Sequence, residues 1–155
     1  MVAKNKTALA KEAAAVQPRR SAWLYWTLAL VALVGLADAS FLTVAHLTGD
    51  DQVCGSAIGC STVLGSPYAT IRGIPTATFG AVAYFTVFSL AILAAFGYAR
   101  MRGLLVILVG LMFAASVYFL YLQAFVLHAF CPFCLFSAAL TFLLAGLLLA
   151  FPATP

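Results

Sequence analysis

The sequence predicts an all-α integral membrane protein: a four-transmembrane-helix bundle with a long outward loop that contains a short half-helix cap. Three observations predict it. Hydrophobic residues make up 65% of the chain and charged residues 8%, whereas soluble domains carry roughly 25% charged residues. Four apolar runs, at about 22–47, 75–98, 104–127 and 131–151, dominate the chain. Each has the ~20 residues needed to cross a ~30 Å hydrocarbon core at ~1.5 Å per residue. The basic residues cluster at the ends of those runs. The net charge of +4 is small and confined in this way, so it marks topology and does not suggest nucleic-acid binding.

Residues 1–21 read as a polar cytoplasmic tail, carrying Lys4, Lys6, Lys11, Arg19 and Arg20, ahead of a membrane domain over 22–155. The first apolar run is too long for the core of a signal peptide, so it is expected to remain as a membrane helix. Trp23, Tyr25 and Trp26 read as an inner-face aromatic belt. Asp38 falls ~13 Å from the outer end of that helix, a depth at which ionisable groups are costly. It has two readings: a proton path, or a hydrogen-bonded group that holds helices together with Ser40 or Gln123. The second is the simpler.

The stretch 48–74 is long for a structureless connection. Val63, Leu64, Pro67, Tyr68, Ile71 and Ile74 suit a half-helix that starts near Cys60 or Ser61 and caps the bundle mouth. Pro75 suits the first turn of the second span. Arg100 and Arg102 flank the link to the third span. The first outward loop has only Arg72, beside Asp50 and Asp51, and the junction before the fourth span has no basic residue. Basic flanks stay in the cytoplasm. Both termini are therefore expected inside a bacterial inner (cell) membrane, with the cysteines on the periplasmic or extracellular side, where disulfides persist.

The four cysteines form two pairs, Cys54/Cys60 in the outward loop and Cys131/Cys134 at the start of the fourth span. Cys131-Pro132-Phe133-Cys134 puts Cys131 near an N-cap, Pro132 at the first helical position and Cys134 in the first turn. The positive end of a helix favours thiolate. One sulfur at that turn would meet a lipid-soluble quinone, and two thiols supply the two electrons and two protons that make a quinol. His128, one turn earlier, is placed to assist proton transfer. Gly55–Gly59 between the other pair is small enough for Cys54 and Cys60 to reach the ~5.5 Å Cα separation of a disulfide. An exposed pair can exchange with a soluble protein's cysteines. Packing cysteines, two permanent structural disulfides and a four-thiolate metal site are the bland alternatives.

The order Cys-x5-Cys then Cys-Pro-Phe-Cys resembles the vitamin K epoxide reductase family and its bacterial homologues. Cys60-Ser61-Thr62-Val63-Leu64-Gly65-Ser66, Gly73-Ile74-Pro75, Phe79-Gly80, Ser116-Val117-Tyr118 and Phe130-Cys131 extend the match over roughly 22–150. The DsbB-like quinone-linked proteins have the reverse order of pairs.

The resemblance implies that Cys131 and Cys134 are the active-site pair, with Cys134 nearest the quinone, and that Cys54 and Cys60 are the shuttle pair. A DsbA-like thioredoxin-fold protein of the periplasm would deliver electrons at Cys54. Menaquinone or ubiquinone would accept them. Ser66, Thr76, Phe79, Leu127, Phe133 and Ala138 are implied as quinone-pocket positions. Thr76 and Ala138 stand where the vertebrate enzymes have an asparagine and a tyrosine that hydrogen-bond quinone, which favours simple quinone reduction over epoxide reduction. The chain ends after four spans, with no fused thioredoxin domain, so a separate redox partner is expected. The expected function is thus a membrane thiol–quinone oxidoreductase that generates disulfides, with no metal. The alternatives are a thiol-driven vitamin K quinone or epoxide reductase, or a non-enzymatic bundle with structural disulfides or a metal site.

Overall fold

The computed structural model describes residues 19–48 and 59–151. Cys54, most of the polar tail and the start of the loop after the first span lie outside the described residues. Helix α1 (Arg19–Thr48) leads into the cap, helix α2 (Cys60–Leu64). A 3-10 turn at Pro67–Ala69 follows, then strands β1 (Thr70–Ile71) and β2 (Ile74–Pro75). Helices α3 (Thr76–Ala95), α4 (Ala99–Tyr121) and α5 (Pro132–Ala150) complete the chain, with a π-helical segment, Leu122–Val126, at the end of α4.

Four helical stretches are long and apolar enough to cross a membrane: Ala22–Thr48, Thr76–Ala95, Arg100–Val126 and Pro132–Ala150. The chain is a multi-pass membrane protein. Its outer surface carries Leu30, Phe85, Ile107 and Leu149 at more than half exposure, a load of bare hydrocarbon suited to lipid. The helices form a ring in which α1 packs on α3, α3 on α4, α4 on α5, and α5 closes back on α1. The α1–α3 seam is built from small buried residues, Ala29, Ala32, Ala91 and Ala94, which let backbones approach closely. At Gly35 a Cβ would overlap the Tyr84 ring, so glycine there is what seats this tyrosine in the core.

Three details differ from the sequence reading. First, α3 stops at Ala95, before Tyr98, and α4 starts at Ala99, so Arg100 and Arg102 occupy the first turn of a helix. Long basic side chains reach the interface from a helix end as readily as from a loop. Arg102 Nη2 donates to the Phe151 carbonyl at 2.7 Å, satisfying a backbone acceptor at the end of α5. Second, Tyr25 is buried at 8% exposure and belongs to the core, while Trp23 and Trp26 are exposed. Third, the cap includes an antiparallel ladder, Thr70 opposite Pro75 and Ile71 opposite Ile74, on both sides of Arg72–Gly73. A run this short and proline-bounded carries no readable alternation.

Candidate active site: two cysteine pairs and an apolar cavity

Both sulfur-bearing segments described sit at the same end of the bundle. Cys131 is the N-cap residue of α5, with Pro132 in the first turn. Proline suits this position because its missing N–H would have no helical partner. The Cys131 N–H is instead taken by the Gln123 Oε1 at 2.9 Å. Gln123 reaches it because the π-helical segment widens the last turn of α4 and turns this residue inward. His128 then adopts φ 47 and Ala129 N–H bonds the Gln123 carbonyl at 3.1 Å, so the link into α5 is pinned twice to one residue.

Cys60 opens α2, and Gly59 supplies the turn before it. Gly59 has φ 108, a left-handed conformation that favours glycine. A Cβ there would also stand 2.9 Å from the Phe130 carbonyl oxygen. Both features let the cap lie directly on the segment that carries Cys131. The consequence is the central contact of the site. Cys60 Sγ and Cys131 Sγ are 3.9 Å apart, and both residues are fully buried. Cys60 is disulfide-bonded, whereas Cys131 and Cys134 are free thiols.

The Cys131 thiol, just ahead of the fourth span, is lowered to about 7. The main cause is the hydrogen bond from the Cys134 side chain, helped by the backbone N–H groups of Cys134 and Phe133; burial and the Asp38 carboxyl oppose it. A thiol in that range is both a competent nucleophile and a good leaving group at neutral pH.

Cys134 lines a cavity of about 460 Å³ enclosed by all four long helices and roofed by the cap. That volume lies within the range of small-molecule sites, and its wall is mostly apolar. Of the positions implied by the resemblance, Ser66, Thr76, Phe79, Leu127 and Ala138 lie on this wall. Phe133 does not: its ring packs against Phe41 of α1 with centroids 5.4 Å apart. Phe133 and Cys134 are neighbours in the chain, about 100° apart around the helix axis, so the two side chains leave the first turn of α5 in different directions. Ser66 donates its hydroxyl proton to the Val63 carbonyl at 2.7 Å, and Thr76 donates to that of Ala69 at 2.8 Å.

The cavity also brings in residues that the sequence reading passed over. Tyr84 is 2% exposed, and its hydroxyl bonds the Ser137 carbonyl at 2.7 Å and the Thr141 hydroxyl at 2.9 Å. Ser137 and Thr141 follow Cys134 at helical spacing, which is the signal that finds them. Asp38 interacts with the Ser137 side chain, not with Ser40 or Gln123, and its Oδ2 is buried without a hydrogen-bond partner among the described residues. His46 lies on the cavity wall, and His128 is exposed away from it.

The arrangement sets a disulfide-bonded cysteine against a free Cys-x-x-Cys pair whose Cys134 lines an apolar chamber. The chain is 34% identical to the thiol-disulfide oxidoreductase LTO1 of Arabidopsis thaliana, over 69% of this chain and 31% of that protein. It thus spans about a third of the length of that curated relative. The model of the vitamin K epoxide reductase family matches residues 26–149, the whole span from α1 to α5 that carries the cap, the Cys-Pro-Phe-Cys motif and the cavity. With fold, cysteine order and family model in accord, the chain belongs to the vitamin K epoxide reductase family.

Proposed function

We propose that the protein is a membrane thiol–quinone oxidoreductase that takes electrons from an extracytoplasmic thioredoxin-fold protein and passes them to quinone, leaving a disulfide in its donor. One observation carries the reading: the buried sulfur of Cys131 faces disulfide-bonded Cys60 at 3.9 Å, while its motif partner Cys134 lines an apolar cavity. One pair thus touches the other on one side and a chamber fit for an apolar oxidant on the other.

A reduced donor exchanges with the Cys54/Cys60 disulfide at Cys54 and leaves oxidised, giving two shuttle thiols. The Cys60 thiolate attacks Sγ of Cys131 in a Cys131–Cys134 disulfide and expels the Cys134 thiolate. Cys54 then attacks Cys60, restores the shuttle disulfide and releases Cys131 as a thiolate, a departure that its lowered pKa favours. Disulfide-bonded Cys60 with free Cys131 and Cys134 corresponds to this charged state. Finally the pair re-forms its disulfide; two electrons and two protons convert quinone to quinol. Thr76 spends its hydroxyl proton on the cap and Ala138 offers none, which supports quinone in preference to epoxide as the acceptor. The orientation that supplies an oxidising compartment has residues 1–21 and the C-terminus in the cytoplasm, with 22–155 as the membrane domain.

The test mixes purified protein, a reduced DsbA-like donor and a short-chain quinone, and follows quinone absorbance. Thiol-dependent quinone loss that Cys134→Ala abolishes is expected. No such loss, or loss that survives the substitution, overturns the reading. Thiol trapping is a second check: with Cys54 or Cys134 replaced by Ser, a reducible Cys60–Cys131 crosslink should accumulate. Two fixed pairs without it would mean a structural protein.

A further inference from the structure

A quinone needs hydrogen-bond donors for its carbonyl oxygens, and most hydroxyl protons on the cavity wall are already engaged. Those of Ser66 and Thr76 go to backbone carbonyls of the cap. Thr141 donates to the Ser137 carbonyl at 3.1 Å, and the Tyr84 hydroxyl sits inside the same cluster. Gln123 is different. Its side chain is 3% exposed, lies on the cavity wall, and has one arm fixed. The Cys131 N–H is a donor, so the arm that it meets at 2.9 Å must be the acceptor Oε1. The other arm is then the NH₂ group, and it has no partner among the described residues.

We infer that Gln123 Nε2 is the hydrogen-bond donor to a carbonyl oxygen of the acceptor quinone, a role that rests on the quinone-reducing reading above. The same amide clasps the backbone of Cys131 through Oε1, so the substrate oxygen and the redox motif are held by two ends of one rigid group. As electrons arrive from the Cys131/Cys134 pair, negative charge develops on that oxygen, and a preplaced donor on a mostly apolar wall stabilises it. His46, Tyr68 and Ser116 also line the cavity, but no hydrogen bond ties any of them to the Cys131 segment.

Gln123→Glu separates the two ends, because a carboxylate keeps the acceptor for Cys131 and loses the donor. Gln123→Met removes both. The fully oxidised protein binds quinone without turning it over, so binding of a carbonyl-labelled short-chain ubiquinone is read by infrared spectroscopy. The wild type is expected to lower one carbonyl stretch, and both variants to lose that shift. In turnover, Gln123→Glu is expected to raise the quinone KM about tenfold, the equivalent of one lost hydrogen bond, while Cys60–Cys131 crosslinking proceeds at the wild-type rate. An unchanged carbonyl stretch in both variants overturns the inference and leaves Gln123 as a backbone clasp only. Where the added charge slows crosslinking as well, the stretch alone decides. A wild type that neither binds nor reduces the quinone fails the proposed function itself, an outcome distinct from loss of one shifted band.

Discussion

At the scale of single residues, Cys131 is where three constraints meet: an N-cap position, the Gln123 clasp on its N–H, and a thiol neighbour in Cys134. The first was legible in Cys-Pro-Phe-Cys, since proline at the first helical position fixes the cap before it. The second was legible only as an inward Gln123 offered to Asp38; its bond to the Cys131 N–H depends on how the chain turns back between the two residues, which no local pattern marks. The lowered pKa gives a directed expectation. Cys131 is thiolate above about 7 and thiol below it, so the ultraviolet thiolate band of the reduced protein should grow through neutral pH. Cys134→Ala removes the largest cause of the shift, and the midpoint should move up toward the ordinary thiol range. An unmoved midpoint would mean that the backbone donors alone hold the thiolate. Tyr84→Phe probes the neighbouring cluster. It deletes the hydroxyl that ties α3 to Ser137 and Thr141 of α5 while keeping the ring that fills the space beside Gly35. Thr141 keeps its own bond to the Ser137 carbonyl. The loss should therefore be modest, about 1 kcal/mol, as thermal unfolding in detergent would measure.

At the scale of elements, the cap α2 and the start of α5 matter through their contact more than through their own stability. A five-residue helix with no side-chain cap has little reason to form alone. Its place is set by Gly59 against the Phe130 backbone. The half-helix near Cys60 was legible from its apolar stretch and following proline, but the glycine contact depends on a segment seventy residues away and leaves no local trace. Gly59→Ala should therefore separate proximity from chemistry. The added methyl must displace Phe130 or the cap, and left-handed φ strains any Cβ. Displacement of reacting groups by ~1 Å costs on the order of 10²-fold. The Cys60–Cys131 crosslinking rate should fall by that order, while a small dithiol that reduces Cys131–Cys134 directly should still drive quinone loss. Equal crosslinking in the variant would show that the cap is positioned by something other than this contact. The π-helical end of α4 belongs to the same scale. It breaks the 3.6-residue register on which sequence periodicity relies, which is why Gln123 read as a partner for Asp38 and not for the Cys131 segment.

At the scale of the whole molecule, four spans and their order were the most legible part, because a bilayer demands long apolar runs and satisfied backbones. The ring closure of α5 on α1 and the cavity inside it were not, since every helix is apolar on all sides and no stripe marks its inner face. Orientation is the remaining property at this scale, and it rests on charge. Of eight Lys and Arg residues, seven fall in the N-terminal flank or at Arg100 and Arg102; Arg72 alone lies in the cap. The bundle puts Arg102 beside the end of α5, opposite the end that holds Cys60 and Cys131. Basic flanks are retained in the cytoplasm, so the cysteine end should face outward. A phosphatase reporter that is active only outside the cytoplasm should be inactive when fused after Pro155 and active when inserted between Arg72 and Gly73. The reverse pattern would put the cysteines in a reducing compartment, where a Cys60 disulfide does not persist. The electron flow proposed above would then lose its oxidised shuttle, so this pair of fusions tests the topology and the direction of the chemistry together.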